Sequence, residues 1–191
     1  IADGQTTLAL ITVDAVAIGG IGPVPNDYLS TVRARLRADC GIAPECVLAN
    51  ASHCHGAVRR DVAELTVRAV QAAMRQMTPV RAGAGAGRED RIMINRRLTL
   101  KDASQADVRH AYPLPPDEQV AAVGPVDPQI GVLRLDREDG RPLAVVFNFA
   151  CHPIQGVPGG ANTADISGFA CRTVEEAMGE ETVALFVQGC A

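Results

Sequence analysis

The stretch Thr7–Asp14, TLALITVD, decides the fold. Apolar and β-branched residues follow one another without polar alternation, so the segment reads as a strand covered on both faces. It stops at a carboxylate. A strand covered on both faces needs helices, and the next segment supplies one. Asp27–Ala38 carries Tyr28, Leu29, Val32 and Leu36 at helical spacing, and Gly41 lies just beyond to end the helix. A second strand and helix follow. Cys46–Ala51 is a short apolar run that enters Ser52–His53–Cys54–His55. Arg60–Met77 is the clearest helix, with Val62, Leu65, Ala69, Ala73 and Met77 on one face and Thr78–Pro79 at its end.

Further along, the Gly/Ala alternation of Val80–Gly87 predicts a strand whose neighbours approach closely. Ser104–Pro128 is proline-rich and is expected to be a loop excursion without regular structure. Ile130–Leu135 and Leu143–Ala150 flank the turn sequence Asp136–Pro142 and should pair as an antiparallel hairpin. Gly156–Gly160 reads as a flexible loop, Asp165–Met178 as a helix and Thr182–Val187 as the last strand. This order predicts an α/β fold: one layered domain over residues 1–191, with a mixed, largely parallel β-sheet flanked by helices. The chain opens at Ile1 with no signal-like segment and stops at Ala191 directly after an apolar run, which reads as a truncated domain.

Composition excludes several classes. Apolar residues make up 47% and charged residues 21%, as in ordinary globular chains and unlike disordered, fibrous or coiled-coil ones. No apolar run approaches the ~18 residues of a membrane helix, so no span is expected. A net charge of −4, no Trp and 3% aromatics argue against nucleic acid as a partner. Six cysteines in 191 residues are too few for a small disulfide scaffold.

Four apolar runs end at a residue capable of chemistry: Asp14, His53, His152 and Gln188. In open α/β sheets the ligand crevice lies beyond the carboxyl ends of the strands, so parallel strands would bring these four to one rim. In extended chain, His53 and His55 point to the same side and could offer two imidazoles to a divalent metal; the plainer alternative is two ordinary histidines at a strand end. His152 would add a third imidazole. The chain has four histidines, and three of them sit at strand ends, which points to a zinc site.

Other residues offer rivals. Cys54 and Cys151 are each adjacent to a histidine and should face the opposite way, buried and reduced as small hydrophobes. Cys40 and Cys46 could pair, and Cys171 and Cys190 fit core positions. Within Ile94–Arg97, Arg96 could bind an anion or polarise a carbonyl, or belong to a solvated arginine pair. Thr163 or Asp165 is a natural N-cap, although a hydroxyl there or at Ser167 could instead assist catalysis. There is no Gly-x-Ser-x-Gly elbow, P-loop or dinucleotide fingerprint, and Gly83–Gly85–Gly87 is not followed by a helix.

Taken in order, these motifs resemble the neutral/alkaline, non-lysosomal ceramidase family. The matching segments are Val13–Asp14, Ser52–Gly56, Ile94–Arg97, Gly124–Pro128, Asn148–Pro153, Thr163–Ala170 and Gln188–Cys190. They cover about the first half of a family catalytic domain. The resemblance implies a zinc amidase that hydrolyses the N-acyl bond of a ceramide-like lipid or small-molecule amide. It matches His53 and His152 to zinc histidines, and His55 and Arg96 to residues that contact the scissile amide. It places the remaining zinc ligands, a Glu and a Tyr, beyond residue 191. The chain departs from the family at Gly56–Ala57–Val58, and the family serine falls on Thr163 or, with a shifted alignment, on Ser167.

The chemistry is coherent on its own terms. Zinc held by neutral ligands lowers the pKa of bound water toward ~7. Arg96 and His55 could stabilise an oxyanion, and Asp14 could fix an imidazole tautomer as an acceptor behind the metal site. His53 and His152 should therefore converge on one point, with Arg96 and Thr163 on the same rim. The alternatives are a zinc hydrolase of the same fold with another N-acyl or ester substrate, or a binding domain that has lost the chemistry.

Overall fold

A computed structural model describes residues 1–107, 115–153, 163–179 and 181–190. The predicted flexible loop Gly156–Gly160 lies outside the described residues.

The opening strand is β1 (Ala9–Val13), with Ala9, Ile11 and Val13 buried on one face and the alternate residues half-buried. It pairs in parallel with β2 (Val47–Ala51), Ala9 opposite Val47 through Val13 opposite Ala51. Helices α1 (Tyr28–Cys40) and α2 (Val62–Arg75) pack with this pair around Val24, Val32, Leu36, Ile42 and Val67. Gly41 ends α1 as expected: at φ 69° it is left-handed, and its N–H donates to the Arg37 carbonyl.

The buried face of α2 differs from the expected one. Leu65, Ala69, Ala73 and Met77 are exposed, whereas Thr66 and Val67 are buried and Val62, Ala63, Val70 and Met74 pack against the core. The apolar residues of this helix fill a wide sector opposite Glu64, Arg68, Gln71 and Arg75, so more than one stripe could face inward. A hydrogen-bond chain belongs to the one that does. The Thr66 hydroxyl donates to the Val62 carbonyl at 2.8 Å, and the buried Tyr28 hydroxyl donates to Thr66 Oγ1 at 2.8 Å. A polar residue thus sits on the core face because its partners are there.

A mixed sheet holds β3 (Val80–Arg88), β7 (Gln129–Arg137), β8 (Pro142–Phe149) and β9 (Val183–Gln188), in the order β3-β7-β8-β9. β7 and β8 form the expected antiparallel hairpin, and β3 also runs antiparallel to β7. β8 and β9 are parallel, and the intervening helix α3 (Asp165–Met178) packs on β9. β3 is a solvent-exposed edge strand. A Cβ added at Gly83 or Gly85 would meet nothing within 4 Å, so these glycines do not serve a close approach.

The region expected to lack regular structure contains strands. β4 (Arg97–Leu100), β5 (Gln105–Asp107) and β6 (Val120–Val123) form an antiparallel sheet in the order β5-β4-β6. Pro115 and Pro116 precede β6, and Pro125 and Pro128 follow it. The prolines flank the strand instead of interrupting its ladder, which is where a proline is tolerated.

What positions the rim is the junction of the two parallel pairs. β9 pairs with β8 on one side and meets β2 on the other. There Asn50 takes the place of a backbone ladder: its Nδ2 donates to the Gln188 carbonyl at 3.1 Å and its Oδ1 accepts from the Gln188 N–H at 2.9 Å. Just beyond, the Gly189 N–H donates to the Phe149 carbonyl at 2.9 Å, and a Cβ at Gly189 would stand 3.0 Å from the Ala150 backbone. A side chain there would press on that backbone, which glycine avoids. The carboxyl ends of β1, β2, β8 and β9 therefore lie along one edge. Among the described residues, no helix is long and apolar enough to cross a membrane.

Candidate metal centre

Three of the predicted site residues meet at this edge. The ring centroid of His53 lies 4.8 Å from that of His55 and 4.8 Å from that of His152, and His55 and His152 are 5.5 Å apart. One nitrogen from each ring falls within 4.8 Å of the others. His53 and His152 are half-buried, and His55 is exposed. His53 and His55 come from the segment after β2, and His152 comes from the segment after β8.

The route by which His53 and His55 converge is not the simple alternation of an extended strand. β2 ends at Ala51, and His53 has φ 63°, a left-handed conformation. Non-glycine residues occupy this region only when their surroundings impose it. The surroundings here are the end of β1. The Ser52 N–H donates to the Val13 carbonyl at 2.9 Å, and the Ser52 hydroxyl donates to Asp14 Oδ1 at 2.9 Å. His53 Nδ1 lies 2.8 Å from the Val16 carbonyl oxygen.

A carbonyl only accepts, so the proton of His53 is on Nδ1 and its Nε2 carries a free lone pair. His55 Nε2, 3.2 Å from His53 Nε2, is then the donor of that contact. Desolvation, with the nearby His53 adding to it, holds the His55 pKa below the ordinary imidazole value. Both effects favour the neutral His55 ring, the form that ligates metal.

The donor set fits zinc. Two ligands ~2.0–2.1 Å from a tetrahedral ion are about 3.4 Å apart, close to the 3.2 Å between the Nε2 atoms of His53 and His55. The Nδ1–H bond from His53 to a backbone carbonyl is the kind of outer contact that orients a metal-binding imidazole. That acceptor is the Val16 carbonyl and not Asp14, which instead holds Ser52. Asp14 is exposed and bonds the residue before His53, not the His53 ring as expected.

The thiols stand apart. Cys151 is buried with Phe149 and Phe186, and burial pushes its thiol pKa up; burial does the same at Cys171. All six cysteines are free, so Cys40 and Cys46 are not paired. Cys54 is half-buried and Cys190 exposed, where burial was expected for both.

Arg96 is exposed on the segment before β4. Its neighbours have other work. Arg97 pairs with Asp107 at 2.8 Å, and Asn95 Oδ1 accepts from the Arg97 N–H at 2.8 Å. Asn95 Nδ2 also donates to the Pro125 carbonyl, which brings the Ile94–Arg97 and Gly124–Pro128 segments together. Met93 packs against Phe149, Cys151 and Phe186, beside the strand that leads to His152.

Thr163 is exposed just before α3, where its Oγ1 accepts the Asp165 N–H at 3.0 Å; the N-cap position itself is Ala164. The half-buried Ser167 directs its hydroxyl to the Ala164 carbonyl at 3.4 Å. Sequence reading missed the roles of Ser52 and Val16. A backbone carbonyl leaves no mark on sequence, and Ser52 was visible only as the small polar residue before His53.

No protein-family model matches the chain, and no curated protein does. Among solved structures, the chain is similar to neutral ceramidase from Pseudomonas aeruginosa, with a TM-score of 0.60 and 20% identity over 84% of this chain and 28% of that one. It is likewise similar to a structure described as a ceramidase complexed with C2, with a TM-score of 0.60 and 21% identity over 84% of this chain and 27% of that one. The chain shares the ceramidase fold over most of its own length, and it spans little more than a quarter of those proteins.

Proposed function

We propose that the protein is a zinc-dependent hydrolase that cleaves an N-acyl amide bond, with a ceramide-like lipid or a smaller N-acyl amide as substrate. The convergence of His53, His55 and His152 at the carboxyl edge of the parallel strands carries this reading. The structural likeness to proteins described as ceramidases supports the amide as the bond at stake.

His53 and His152 would hold the metal. When bound, zinc supplies Lewis acidity and lowers the pKa of water at the site toward ~7. The residues of the chain do the rest. The Val16 carbonyl keeps the His53 proton on Nδ1, so that Nε2 stays available. Arg96, a fixed cation, binds the amide carbonyl oxygen and stabilises the charge that develops there. Thr163 organises the first turn of α3 and would supply the assisting hydroxyl, with Ser167 as the alternative.

His55 has two readings. Its Nε2 is near enough to His53 to complete a three-imidazole set once metal replaces their hydrogen bond. Its exposure fits an imidazole that faces the substrate amide. His55→Ala separates them: a ligand role predicts lost zinc affinity, and a substrate-facing role predicts intact affinity with lost turnover.

A hydrolysis screen of the protein against N-acyl amides and matched esters tests the function. Amide hydrolysis that stops on chelation and returns with zinc is the expected result. Amide hydrolysis that persists under chelation overturns the metal. Turnover of esters alone favours the alternative zinc hydrolase, and turnover of nothing favours a binding domain.

A further inference from the structure

We infer that Ser52 and Asp14 are positioning residues of the metal centre: with the Val16 carbonyl, they hold His53 in the left-handed conformation that turns its Nε2 toward the other two imidazoles. This rests on the proposed metal reading and extends it to two residues that touch neither metal nor substrate.

The segment from Val13 to Val16 grips Ser52 and His53 at three points. The backbone N–H of Ser52 is bound to Val13, its hydroxyl to Asp14, and the ring of His53 to Val16. Ser52 is 3% exposed, so neither of its donors can turn to water instead. The gripping segment is itself fixed. Ala15 is fully buried, and its N–H donates to the Val13 carbonyl at 2.8 Å. Val16 Cγ1 stands 2.2 Å from where a Cβ on Gly22 would be, so the left-handed Gly22 backbone rests against it.

The backbone strain then has a purpose. Two of the three grips come before the α-carbon of His53 and one comes after it, through the ring. They over-determine the residue, which is the condition under which a non-glycine side chain stays at φ 63°. The result is a ligand whose lone pair is aimed before any metal arrives. Such outer contacts are worth ~10–100-fold in metal affinity when removed.

Two readouts test this. The first uses metal-free protein and follows the His53 ring nitrogens by NMR. Wild-type His53 should be in the Nδ1–H form, and Ser52→Ala and Asp14→Ala should mix the two tautomers. The second is zinc affinity by chelator competition. Both alanine variants should bind ~10–100-fold more weakly. Asp14→Asn, which keeps an oxygen acceptor for Ser52 but removes the charge, should bind like wild type.

Equal loss in Asp14→Asn and Asp14→Ala would overturn the proposal, because the charge of Asp14 and not its hydrogen bond would then be acting. Alanine variants with wild-type affinity would also overturn it. If wild type binds no zinc, the metal reading fails, and an unchanged His53 tautomer in the variants separately overturns the grip. Should Ser52→Ala fail to fold, the exposed Asp14 keeps the test open.

Discussion

His152→Ala should abolish zinc binding, lowering affinity by more than ~10²-fold, and with it any hydrolysis. Removing even an outer contact of a metal-binding histidine costs ~10–100-fold, and this change would remove a proposed ligand itself. His152 is also the one imidazole that comes from the β8 side of the junction. His53 and His55 follow β2, so the loss leaves two ligands on one short segment. The metal-free protein should melt close to the wild-type temperature. His152 is half-buried, and the strand that leads to it is held by Phe149 and Cys151 in the core. Chelator competition and thermal melts of the two proteins check this. A variant that melts lower yet binds zinc normally would mark His152 as structural.

Arg96→Ala should cut turnover by ~10²–10³, the size expected for one lost oxyanion donor. Zinc affinity and melting temperature should stay unchanged. The structure separates the two arginines that sequence could only read as a pair. Arg97 is tied to Asp107, and its backbone N–H is bound by Asn95. Arg96 is exposed, and no hydrogen bond or ion pair engages it among the described residues. Arg97→Ala is therefore the control. It loses an exposed ion pair of the kind worth ~0–1 kcal/mol and should keep its rate. The effect should fall on kcat more than on KM, because the charge that Arg96 is proposed to meet would develop only in the transition state. An Arg96→Ala enzyme with wild-type turnover would end this assignment.

Much of the α/β framework was legible because its signals are local and strong. The apolar run Thr7–Val13, the helix ended by Gly41 and the hairpin turn at Asp136–Pro142 each state their structure within a dozen residues. The histidines were legible for a different reason. They stand where apolar runs stop, and the fold brings strand ends together whatever lies between them. What failed was what depends on partners far away in the chain. The buried face of α2 belongs with a bond from Thr66 to Tyr28, 38 residues distant. The strands β5 and β6 exist because β4 lies between them, and the prolines around β6 concealed it. Asn50 gave no sign that it would replace a ladder and join β2 to β9, 138 residues later. The conformation of His53 was hidden most deeply, because backbone carbonyls and a preceding serine impose it.

The candidate centre is a metal site only if these three imidazoles bind one metal ion. A calorimetric titration of metal-free protein with zinc tests that directly. The account predicts one zinc per wild-type chain and no specific binding in His53→Ala/His152→Ala protein. Absence of specific zinc binding in the wild type, or the same binding in the double variant, would contradict it.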